Sequence, residues 1–72
     1  MNRTDAILQI IAVEVSNSRH GEFLKAVAKA WQMADNENKP IIKPAWLLLI
    51  EKYRLEKEYA EAIETHVGEY LP

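Results

Sequence analysis

The two histidines, His20 and His66, are the side chains best suited to move a proton near neutral pH. Neither stands in H-E-x-x-H, which sets two imidazoles on one helix face for zinc, nor in the Glu-x-x-His pairing of di-iron bundles. His66 falls near the end of a helical segment, where an imidazolium complements the helix dipole. Both read as surface or capping residues. Paired carboxylates are the next possibility, because Glu51, Glu56, Glu58, Glu61, Glu64 and Glu69 crowd residues 51–72. Arg54 precedes Glu58 by one helical turn and Lys57 precedes Glu61 likewise, the pattern of a solvated helix face. The run Asp35–Asn36–Glu37–Asn38–Lys39 imitates the start of a calcium loop. It lacks the glycine of the sixth position, and Trp46 stands where the twelfth needs a bidentate glutamate. With no cysteine there is no thiolate site, and Gly21 and Gly68 alone form no phosphate loop. The expectation is a chain without catalytic residues, metal or cofactor, and so not an enzyme.

Seventy-two residues make one domain, residues 1–72, and half of them are apolar, which argues against disorder throughout. A chain of this size buries only about 60% of the surface it exposes when unfolded. Without a disulfide, its stability rests on efficient helix packing or on self-association. The lack of cysteine fits a reducing compartment, so a cytoplasmic location is expected. The first fifteen residues mix Arg3, Asp5, Gln9 and Glu14 into an apolar run, unlike a signal peptide or a membrane span. Net charge is −2. Residues 1–50 hold six basic and five acidic groups, whereas 51–72 hold three and six. Neither part has the basic character of a nucleic-acid binder.

Three helices should carry these residues, over about 5–17, 19–35 and 44–67, in an all-α fold: a small three-helix domain with a long C-terminal helix. Thr4 and Asp5 can cap the first, whose Ile7, Leu8, Ile11 and Val15 share a face. Its β-branched content and the alternation at 11–15 also suit a strand, which would need a partner chain to pair with. Ser18 is the expected cap of the second helix, with Glu22 in its first turn. Phe23, Leu24, Val27, Ala30, Trp31 and Ala34 form its apolar stripe. Pro40 and Pro44 flank a pinned turn in which Ile41 and Ile42 plug the end of the bundle. Pro44 suits a first helical position and Gly68 a C-terminal stop; alternatively the third helix begins near Asn38 and kinks at Pro44.

A helix over 44–67 would be roughly 36 Å long, against about 29 Å for the diameter of a compact chain of this size. It must overhang, bend or meet another chain. Two apolar stripes run along it. Trp46, Leu49, Ile50, Tyr53, Ala60, Ile63 and Val67 make the first, with heptad spacing at 46, 53, 60 and 67. Leu48, Leu55, Tyr59 and Ala62 make the second, rotated by about 160°. One stripe can serve the core; the other lacks an internal partner. Leu48, Leu55, Tyr59 and Ala62, with Trp46 as an aromatic anchor, are therefore the candidate partner-binding residues. They point to a protein partner, itself or a host protein, and to a homodimer or higher oligomer.

A helix-turn-helix is the alternative, making the chain a small DNA-binding or transcription-regulatory domain. Its connection would span about eight residues against the usual three or four. The second helix of the pair opens with the apolar run 45–50, where a recognition helix needs a polar, basic start. Residues 23–45 resemble small helical proteins encoded by phages and prophages, mostly of unknown function. The likeness rests on Phe23–Leu24, Ala34–Asp35, Asn38 and Pro44–Ala45, which are capping and turn residues. It implies a small cytoplasmic accessory or modulator protein that acts by binding another protein, and it transfers no functional residue.

Overall fold

A computed structural model describes residues 1–71, and among them helix is the only regular structure. The first helix, α1 (Arg3–Ser16), begins one residue pair earlier than the capping pattern suggests. Asn2 is its cap, with Oδ1 accepting the Asp5 N–H at 2.8 Å. Ile10, Ile11 and Ala12 are all buried, along with Ala6, Leu8 and Val15. A helix apolar on several sides belongs in the middle of a fold, and α1 is packed by the second helix, by the C-terminal segment and by Trp46. That wide apolar surface explains why 11–15 also reads as a strand.

Ser18 closes α1 instead of opening the next helix. Its Oγ donates to the Val15 carbonyl at 2.6 Å and accepts the His20 N–H at 3.1 Å. The second helix, α2 (Glu22–Met33), starts after Gly21, which offers no side-chain cap. Leu24, Ala28 and Trp31 are its buried residues, while Phe23 and Met33, at its two ends, stay exposed. Gln32 faces α1, where its Nε2 donates to Ser16 Oγ at 2.7 Å and to the Ala12 carbonyl at 3.2 Å. The chain leaves α2 through an Asx turn: Asp35 Oδ1 accepts from the Glu37 and Asn38 backbone N–H groups and from the Asn38 side-chain amide.

The next helix, α3 (Lys39–Lys52), begins near Asn38, not at Pro44. Pro40 occupies its first turn and Pro44 its second. The missing Pro44 N–H leaves the Pro40 carbonyl without its usual helical partner, and Pro40 lies at the surface, where that loss is least costly. Ile42, Trp46, Leu49 and Ile50 face the core, so Ile42 packs inward as expected, but Ile41 points out.

The single helix expected over 44–67 is broken. After Lys52 the chain passes through Tyr53 and Arg54, and Arg54 is left-handed at φ 53°, ψ 42°. Two short pieces follow, α4 (Leu55–Glu58) and α5 (Ala60–His66), then a 3-10 turn over Val67–Glu69. Gly68 has no positive φ, so it is not the left-handed stop that its type suggests. The reason for the break is burial. On an unbroken helix Leu55 would lie about 20° from Leu48, on the outer side. Turning at Arg54 brings Leu55 and Ile63 into the core and lays Tyr59, Ala62, Val67 and Tyr70 against it. Burying a Leu or Ile is worth about 1.5–3 kcal/mol, against roughly 1–2 kcal/mol for one left-handed residue. Two such side chains outweigh the turn.

Both tryptophans are fully buried. Trp46 Nε1 donates to the Leu8 carbonyl at 3.2 Å, tying α3 to α1. Lys39 covers the Trp31 ring with Nζ 4.4 Å from its centroid and donates to the Trp31 carbonyl at 2.9 Å.

Candidate functional site

The polar groups able to do chemistry are scattered. His20 Nε2 lies 2.9 Å from Glu58 Oε2, a contact that pins α4 to the turn between α1 and α2. The Tyr59 ring stands edge-on to His20 with centroids 6.3 Å apart. Partial burial raises the Tyr59 phenol above its ordinary value, with neighbouring Glu58 acting in the same direction and Ser18 opposing it. His66 Nδ1 meets Glu69 at 3.2 Å at the other end of the C-terminal segment. Lys43 pairs with Asp5 at 2.9 Å. Among the described residues no three His, Cys, Asp or Glu side chains converge as metal ligands. No helix of the described residues is long and apolar enough to cross a membrane.

The surface instead offers apolar shape. A trough of about 650 Å³ lies at the elbow of α3 and α4, with Leu47 and Ile50 as its apolar part and Glu51, Arg54, Glu56 and Lys57 around it. A smaller hollow of about 110 Å³ shares Leu47, Ile50 and Glu56 and reaches Ile7 and Leu8 on α1. The charged residues of the trough come as two acids and two bases, so they impose no net sign on an occupant.

The outer side of α3 continues this apolar area. Ile41, Pro44, Ala45 and Leu48 are spaced i, i+3, i+4 and i+7 and all lie exposed. Ile41 is 75% accessible and Leu48 67%. Leu47, also exposed, stands about 60° around the helix from Pro44 and joins the stripe to the trough.

Of the residues expected to bind a partner, only Leu48 is on this surface. Trp46 and Leu55 are at 0% accessibility and belong to the core, which corrects their assignment. Tyr59 and Ala62 are half-buried against that core. The second stripe was drawn on a straight helix, and the turn at Arg54 rotates everything after it. A helix starting at Pro44 excludes Ile41 from any stripe, whereas Pro44, Ala45 and Leu47 are helical under either start. The spacing 41, 44, 45, 48 is plain once the helix begins at Lys39. Comparison with family models, with curated proteins and with solved structures finds no match for this chain.

Proposed function

We propose that this chain is a non-enzymatic protein–protein interaction module, a small accessory protein that acts by docking through the outer face of α3. One observation carries the reading: a contiguous apolar stripe, Ile41–Pro44–Ala45–Leu48, lies in water on a helix whose other face already fills the core. Exposed apolar surface of this kind marks association sites. The resemblance of residues 23–45 to small phage-encoded helical proteins suits the same role. The cysteine-free sequence suits the cytoplasm as its place of action. Lys39 and Lys43, the basic residues at the head of α3, are engaged by Trp31 and Asp5, which speaks against duplex DNA as the ligand of this helix.

Sedimentation of the wild type and of the Ile41→Glu/Leu48→Glu double variant, alone and in extract of the native host, tests the proposal. The wild type should sediment above its 8.3 kDa monomer mass in at least one condition and the variant should not. Equal sedimentation of the two chains in both conditions would overturn it.

A further inference from the structure

We infer that the elbow at Arg54 is a domain-swapping hinge, through which the C-terminal segment 55–71 leaves its own core and completes that of a second copy of this chain. The outer face of α3 plays no part in this exchange. The hinge carries it. One left-handed residue separates two helical stretches. The Tyr53 N–H still reaches the Leu49 carbonyl at 3.0 Å on one side, and the Arg54 carbonyl already accepts the Glu58 N–H at 3.1 Å on the other. Arginine meets a Cβ conflict in that conformation, whereas residues 45–67, free of glycine and proline, favour an unbroken helix. Turning Tyr53 and Arg54 into ordinary helical backbone joins α3 to α4 and relieves the conflict. Short hinges under strain invite swapping.

The straightened helix shows where the second copy enters. Trp46 and Leu55 are both fully buried, yet on a continuous helix their spacing sets them about 180° apart. The bend brings them into one core; without it they face opposite ways and must fill two. A second copy offers the vacated core the same side chains. Every contact across the hinge is then remade between chains: Leu55 and Ile63 in the core, α5 on α1, and His20 against Glu58. The exchange is reciprocal, so it closes as a two-fold dimer. Closed and swapped forms share these contacts, and the relief of two hinges is set against the entropy of association. Dilute chains therefore stay closed. Because Leu55 is shut in the core, chains exchange segments when they refold together and not when folded chains are mixed.

The contact between His20 and Glu58 spans the hinge, and the wild-type chain has no cysteine, so cross-linking reads the exchange. His20→Cys and Glu58→Cys chains are each checked for native helicity, unfolded in urea, mixed at millimolar concentration and refolded. A dimer of twice the 8.3 kDa chain mass should appear in sedimentation. In a swapped heterodimer one core sets the two substituted positions side by side and the other keeps the native pair. A short bismaleimide should therefore couple the two chains, and should not when they are mixed folded at micromolar concentration. A refolded chain that is only monomeric, or a dimer in which positions 20 and 58 stay uncoupled, overturns the inference. Arg54→Gly accepts the left-handed turn and should lower the dimer yield at least about tenfold, whereas Arg54→Ala keeps the Cβ and should not. An unchanged yield with glycine, or an equal loss with alanine, would show that backbone strain does not drive the dimer. Ile41→Glu, on the outer face of α3 and far along the helix from Leu55, should leave the yield as it is. Loss of the dimer in that variant would assign it to the outer face and overturn the swap.

Discussion

Trp46 and Trp31 occupy the same core but are held differently. Trp46 donates its indole N–H to Leu8, whereas the Trp31 Nε1 is buried without an acceptor among the described residues. Replacing Trp46 by Phe removes a buried hydrogen bond as well as volume, and replacing Trp31 by Phe removes volume and relieves an unsatisfied donor. A net hydrogen bond contributes about 0.5–1.5 kcal/mol and an orphaned buried group costs about 1–3. Trp46→Phe should therefore lower the urea midpoint more than Trp31→Phe does, and the reverse order would show that the Leu8 bond contributes nothing. Tyr59 gives a pH dependence. Its phenol is raised by burial in the folded chain, so between its ordinary value of 10.0 and the folded value the native state holds the proton that the unfolded state releases. Stability must then fall as pH rises above about 10, and Tyr59→Phe should flatten that part of the curve in thermal melts. Leu55 lies at the centre of the core. Leu55→Ala should cost about 2–5 kcal/mol, read from the denaturation midpoint, and Leu55→Glu should unfold the chain rather than merely loosen an association. Leu48→Glu, in water from the start, should leave stability within about 0.5 kcal/mol of the wild type.

Among the elements, the elbow between α3 and α4 is where local preference and global packing disagree. Residues 45–67 contain no glycine or proline, and Arg54 and Lys57 are each followed by a glutamate one turn later. Every local signal favours one helix, yet Arg54 turns left-handed. Glycine takes that conformation without the Cβ conflict that arginine meets. Arg54→Gly should raise stability by about 0.5–1 kcal/mol, visible as a higher melting temperature with unchanged helicity. A fall in melting temperature would mean that the arginine stem packs usefully across the trough. The contrast explains what could be read without the structure. The α2 stripe of Leu24 and Trp31, the buried face of α1 and the inward side of Ile50 repeat at helical spacing and were legible, whereas Trp46 stood on the inward stripe and was also expected to anchor a partner. The break was not legible, because it is decided by the burial of Leu55 and Ile63 in the shared core and by the packing of α5 on α1, contacts between elements far apart in sequence. Leu48 kept its place on the outside because it precedes the elbow; Leu55, Tyr59 and Ala62 lost theirs because they follow it. The start of α3 near Asn38 was one of two readings, because Pro44 is tolerated in a second turn and also suits a first.

At the scale of the molecule, the described residues span 31 × 29 × 19 Å with a radius of gyration of 11.3 Å. The fold thus resolves the length of its C-terminal segment by bending it within these dimensions, not by extending it. α1, α2, α3, α4 and α5 all contribute to one core, so unfolding should be a single cooperative transition whatever probe follows it. A core of this size rarely supplies more than about 3–5 kcal/mol, which makes the chain sensitive to any one of its large side chains. The placement of the two indoles also gives the protein its own spectroscopic reporter. Both are shielded from water on the inner side, and the outer stripe of α3 contains no tryptophan. Intrinsic emission should therefore shift to longer wavelength when the chain unfolds and stay unmoved when a partner leaves that stripe. Dilution and denaturation would then separate into a silent step and a coloured one, with no label added.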